Sequence, residues 1–125
     1  MEAAFRHQQQ GDLQHAARMY EQVLLRYPKD SAVLGMRGMV AFEQKNFDEA
    51  RTWLGKAIQE NPRDSRLYNF MGQVMSGLGE AIEAERAFAK AVTLDPNFFE
   101  GWCNLGISLQ QGHQLMEAMD AFQKA

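Results

Sequence analysis

Proline is scarce in this chain, cysteine is nearly absent, and no apolar run approaches the length of a bilayer. A membrane helix needs about 20 consecutive apolar residues, so no membrane span is encoded. A lone cysteine, Cys103, excludes an internal disulfide and fits a reducing compartment. Positive charge is not in excess either. With a net charge of −3 and a pI near 5.6, nothing electrostatic favours nucleic acid or an anionic membrane as partner. Residues 1–12 lack both the cationic and the apolar part of a secretory signal, and a cytoplasmic location is expected. No Gly/Ser-rich or low-complexity stretch divides the chain, so residues 1–125 are expected to form one domain.

Catalytic constellations are missing as well. Gly77-Leu78-Gly79-Glu80 lacks the third glycine of a dinucleotide loop, and a helical pattern precedes it where that loop needs a strand. His7, His15 and His113 stand far apart, and none forms a metal-ligand pair with another histidine or with Cys103. Glu83 and Glu85 diverge on a helix, whereas Asp48 and Glu49 suit the first turn of one. Cys103 has no histidine or helix N-terminus placed to activate it and reads as a small, partly covered helical residue. No enzyme, no metal and no cofactor is expected.

What the chain does have is repetition. Gly38, Gly72 and Gly106 are evenly spaced, and Ala16, Ala50, Ala84 and Ala118 recur at the same interval. A large apolar residue follows each alanine by four positions, as Tyr20, Leu54, Phe88 and Phe122. Pro28, Pro62 and Pro96 are all the prolines present, and they keep that interval too. This pattern resembles the tetratricopeptide repeat family, whose signature runs W-x2-L-G-x2-Y, A-x3-F and P over about 34 residues. Trp102-x2-Leu105-Gly106-x2-Leu109 with Ala118-x3-Phe122 matches it best, Leu109 replacing the tyrosine. In the second repeat Leu34, Arg37 and Ala41 take the Trp, Leu and Tyr places.

The resemblance implies an all-α, right-handed superhelical solenoid of about 3.5 helical hairpins, with repeats near 1–30, 31–64, 65–98 and 99–125. Eight helices are expected: Glu2–Gln10 and Leu13–Arg26 around a turn at Gly11-Asp12, then pairs turning at Lys45-Asn46 and Gly79, and a last pair turning at Gly112-His113. Each proline should end a helix, because the residue before it avoids the α region. Ala16, Tyr20 and Val23 should share one face of helix Leu13–Arg26 at spacings of four and three. Gly72 should let two helices approach closely, with Ala84 and Ala91 nesting against neighbours.

In the family the first helix of each hairpin lines a concave groove that holds another protein or peptide. Carried onto this chain, that groove offers an adaptable apolar zone from Met36, Met39, Phe42 and Phe70. Arg66, Asn69, Gln73 and Asn104 form a polar zone able to bond a peptide backbone or a carboxylate, with Ile107 beside them. Met and Phe at helical spacing equally suit a core, and Arg66 equally suits a solvated helix start. The carboxylate clamp of chaperone-binding repeats, Lys-Asn-Asn-Lys-Arg, would fall on Gly35, Met39, Phe70, Glu100 and Asn104, or one repeat earlier on Met1, Phe5, Met36, Arg66 and Phe70, and is absent in either register. The asparagine ladder of repeats preceding glycosyltransferase domains is broken at Met36 and Phe70. The expected function is therefore a protein-binding scaffold. An accessory, substrate-recruiting segment of a glycosyltransferase or sulfotransferase, or a self-assembling structural repeat, are the alternatives. Leu115, Met116, Met119 and Phe122 would leave an apolar edge uncapped, expected either because the chain is cut from a longer protein or because that edge pairs with a second copy as a homo-oligomer.

Overall fold

The computed structural model describes the backbone of residues 2–124 and the side chains of residues 12–113. Among the described residues there are six helices: α1 (Glu2–Arg26), α2 (Ser31–Glu43), α3 (Phe47–Glu60), α4 (Ser65–Gly77), α5 (Ala81–Leu94) and α6 (Phe99–Lys124). Among the described residues there is no strand. Each helix packs on the next in chain order, and α2 also touches α4, which is the connectivity of a stacked-hairpin solenoid.

Local chemistry explains each break that did form. Pro28, Pro62 and Pro96 follow α1, α3 and α5 within two residues. Asp30 then caps α2, its carboxylate accepting from the N–H groups of Ala32 and Val33 at 3.1 and 3.3 Å. Asp64 caps α4 through the Arg66 N–H at 3.1 Å. The two tight reversals are built alike. Lys45 and Gly79 sit at φ 65° and 79°, one repeat interval apart. The next residue in each case donates back to the helix, Asn46 to Ala41 O and Glu80 to Met75 O, both at 2.8 Å. This closes the helix end with a left-handed residue and a six-to-one bond. The large residue at or beside the Trp place also ties its helix to the preceding proline. Tyr68 Oη donates to Pro62 O at 2.9 Å and Trp102 Nε1 to Pro96 O at 2.8 Å.

Inside the hairpins small residues seat large ones. A Cβ on Gly38 would stand 2.9 Å from Leu54 Cγ, and one on Gly72 would run into the ring of Phe88. Ala41, Ala50, Leu54, Ala57, Val74, Ala84 and Ala91 are wholly shielded from solvent. Burying one such leucine or phenylalanine is worth about 1.5–3 kcal/mol. Arg37, in the family's leucine place, is also buried. Its guanidinium pairs with Glu21 of α1 at 3.2 Å and Glu49 of α3 at 2.8 Å, and lies over the Trp53 ring at 5.2 Å. One charged side chain thus joins three helices.

The outer pairs differ from expectation. α1 runs straight through Gly11-Asp12, and α6 runs straight through Gly112-His113, so six helices replace the expected eight. A glycine inside a helix costs only about 1 kcal/mol, whereas opening a turn leaves backbone groups of two helix ends to be satisfied elsewhere. The inner reversals persist because packed helices hold them on both sides. The buried face of α1 shifts for the same reason. Ala17 and Leu24 are buried, whereas Ala16 and Tyr20 are half-covered and Val23 is exposed. Cys103 is exposed rather than partly covered, because α6 turns the Gly101–Ser108 side inward.

Ala84→Leu should overpack the α4–α5 junction and cost about 1–3 kcal/mol, while the exposed Lys90→Gln stays within about 0.5 kcal/mol in a denaturant titration. Removing both carboxylates (Glu21→Ala with Glu49→Ala) strands the buried guanidinium and should cost about 3 kcal/mol or more. Arg37→Met, which removes the charge itself, should cost less than half of that.

Candidate functional site

A hollow of about 450 Å³ is lined by residues of α2, α4 and α6, with further side chains from α3 and α5. Phe42 of α2, Phe47 of α3 and Phe88 of α5 give it aromatic walls, and Ile107 of α6 adds an aliphatic one. Phe42 and Phe47 meet with ring centroids 5.6 Å apart, tilted by 56°. Gly77 makes room for this pair: a Cβ there would stand 2.7 Å from the Phe47 ring. The polar lining is neutral throughout, from Gln73, Ser76, Asn104, Ser108 and Gln111. No charged side chain lines the hollow among the described residues.

Asn69 supplies the positioning. It is completely buried on α4, and its Oδ1 accepts from Asn104 Nδ2 across the α4–α6 gap at 2.9 Å. That bond occupies an Asn104 donor and leaves Asn104 Oδ1 as an acceptor in the hollow. Asn69 Nδ2 is buried without a partner among the described residues. A burial of this kind costs free energy, so the amide is held by its surroundings rather than by satisfaction of both ends.

Of the residues proposed from sequence for the groove, Phe42, Gln73, Asn104 and Ile107 line the hollow together. Met39 and Phe70 pack against the buried core instead. Met36 is half exposed on α2, outside the hollow. Arg66 is exposed and committed to its own helix start, bonding Asp64 through Nε at 3.3 Å and Nη2 at 3.2 Å. The Asp64 carboxylate, first by that hydrogen bond and then by its charge, holds the Arg66 guanidinium above its ordinary range. The side chains of Leu115, Met116, Met119 and Phe122 lie outside the described residues. Phe47 and Phe88 line the hollow without being expected from sequence. Phe47 begins a helix just after the Lys45 turn, and the signal that could have found it is Gly77, a groove-facing glycine whose missing side chain invites a ring. Among the described residues no three potential ligands gather to hold a metal ion, and no helix is long and apolar enough to cross a membrane.

Comparison with known proteins bears on the family and the fold. The tetratricopeptide repeat model matches residues 7–74, with further matches at 65–98 and 87–120. Human tetratricopeptide repeat protein 7A is 30% identical over 122 residues, spanning 98% of this chain and 14% of that protein. Human tetratricopeptide repeat protein 33 is 30% identical over 117 residues, covering 93% of this chain and 45% of its own length. The chain therefore spans less than half the length of either relative. The first tetratricopeptide domain of Spaghetti (RPAP3), solved with the HSP90 peptide SRMEEVD, superposes with a TM-score of 0.77 at 23% identity, covering 88% of this chain and 87% of that one. That likeness concerns the fold. With its fixed repeat interval, its proline stops and its seated glycines, this chain belongs to the tetratricopeptide repeat family.

Proposed function

We propose that this chain is a protein-interaction scaffold, without chemistry of its own, whose hollow between α2, α4 and α6 takes an uncharged stretch of a partner protein. The observation that carries this reading is the lining: aromatic and aliphatic walls with only amide and hydroxyl groups among them. An apolar side chain of the guest enters between Phe42, Phe47 and Ile107. Its backbone N–H bonds Asn104 Oδ1, which Asn69 holds in place. Gln73 and Gln111, with both donors and acceptors, accommodate the guest's remaining amide groups.

The charge of the guest follows from what the groove omits. The RPAP3 domain holds a peptide ending in the acidic sequence EEVD. Here the clamp positions carry Gly35, Met39, Phe70, Glu100 and Asn104, with one carboxylate of the wrong sign, or one repeat earlier Met1, Phe5, Met36, Arg66 and Phe70, whose single cation is paired with Asp64. An acidic chain terminus would lose its hydration without gaining a counter-charge. The scaffold reading therefore favours an internal, neutral segment over a chaperone C-terminus.

Panning a random peptide library displayed on phage against the protein tests this directly. Enriched peptides should centre on an aromatic or large aliphatic residue with uncharged neighbours. Their synthetic versions should bind at least about tenfold more weakly to Asn104→Ala and to Ile107→Ala. The peptide SRMEEVD should bind no better than its scrambled form. Enrichment of acidic C-termini, or affinities untouched by both substitutions, would overturn the assignment of this hollow.

A further inference from the structure

The first helix of each inner hairpin carries one face that the following helix covers. On α2 this face is Leu34, Gly38 and Ala41, all buried, with Leu54 of α3 on the glycine. On α4 it is Tyr68, Gly72 and Met75, with Phe88 of α5 resting on the glycine. One repeat interval further on, α6 presents it again as Trp102, Gly106 and Leu109. There it is open. Among the described residues no atom comes within 4 Å of a Cβ built on Gly106, and Trp102 and Leu109 are 49% and 47% exposed.

This face is separate from the hollow. At 3.6 residues per turn, Trp102, Gly106 and Leu109 centre roughly 180° around α6 from Asn104, Ile107, Ser108 and Gln111. The helix also continues to Lys124, so its backbone runs on along the axis rather than back over Gly106. The two covered copies of the face show what fits it. Their covers turn inward Ala50, Leu54 and Ala57 from α3, and Ala84, Phe88 and Ala91 from α5, all buried. Their outer sides are polar and exposed, as at Lys56 and Gln59 or Arg86 and Lys90. In each cover the large residue fills the space that the glycine leaves, and the alanines let the two backbones approach.

We propose that the Trp102, Gly106 and Leu109 face of α6 is a second docking surface, and that it takes one amphipathic helix of another protein. The inward side of that helix reads alanine, a large apolar residue four positions on, and alanine three positions beyond, the pattern of both internal covers. Its large residue sits on Gly106 as Phe88 sits on Gly72, flanked by Trp102 and Leu109. α6 packs on α5 as α4 packs on α3, so the docked helix continues the stack by one place. Burial of that large residue, together with the half-exposed Trp102 and Leu109, supplies the driving force. A single helix covers less surface than a standard interface, so the contact is a weak, exchanging one. Because the two faces of α6 are opposed, this helix and a guest in the hollow can be held at the same time.

Residues 80–94 of this chain, made as a separate peptide with blocked ends, are the probe, because they cover the matching face of α4. In proton–nitrogen NMR of the 125-residue chain, the peptide should shift the Trp102 indole and Gly106 amide signals and leave the Trp53 indole in place. Phe88→Ala in the peptide, or Gly106→Leu in the chain, should weaken binding by about tenfold or more. Should Gly106→Leu misfold, Leu109→Gln serves the same purpose. Ile107→Ala, on the hollow side, should bind the peptide as tightly as the wild type. The proposal is overturned if no Trp102 shift is seen at about 1 mM peptide, or if binding is indifferent to Phe88→Ala and to both chain variants. It also falls if the unmixed chain doubles its 14.2 kDa mass while Gly106 shifts, since a second copy would then be the occupant. A Trp102 indole already shielded from a soluble fluorescence quencher before peptide is added would overturn it too, because the chain would then cover the face itself.

Discussion

The fit of a bulky side chain over a missing one, Leu54 on Gly38 and Phe88 on Gly72, is the constraint from which the rest of this structure follows. It brings the two helices of a hairpin close enough for alanines 50, 57, 84 and 91 to be sealed from water. The helix pairs become rigid units, and their stacking is what separates α2, α4 and α6 enough to leave a hollow. On α6, among the described residues, no side chain sits on Gly106, and Trp102 and Leu109 are about half exposed.

Polar groups buried within this framework have distinct roles. Arg37 is enclosed with its counter-charges at the surface, so its pairing with Glu21 and Glu49 orients α1, α2 and α3 more than it adds net stability. Asn69 is enclosed without any charge, and its bond to Asn104 fixes the side chain that faces the hollow. One residue serves the stack, the other serves the guest. Both stand at positions where a leucine or methionine would have packed more simply.

Most of the fold is legible in the sequence because its causes are local. A proline stop and an aspartate cap act within a few residues, a glycine seat acts across one short hairpin, and all recur at a fixed interval. Gly11 and Gly112 mislead because a glycine permits a turn without requiring one, and only packing against both flanking helices decides the matter. The hollow is legible in part. Phe42, Gln73, Asn104 and Ile107 follow from the family's groove register, and they do line it. Met39 and Phe70 share that register but stand half-buried against the core, since an apolar side chain at the edge of a groove gains by partial burial there. Phe47 is illegible because it reaches the hollow from the second helix of its hairpin, through space opened by a glycine on another helix.

Proton NMR of the Gly72 α-protons tests the governing contact most directly. With the Phe88 ring resting on that glycine, these protons should be shifted strongly upfield by the ring current and should show intense Overhauser effects to the Phe88 ring protons. Gly72 signals at ordinary helical positions, without any Overhauser effect to Phe88, would contradict the account, because the hairpin would then be closed by something other than the seat described here.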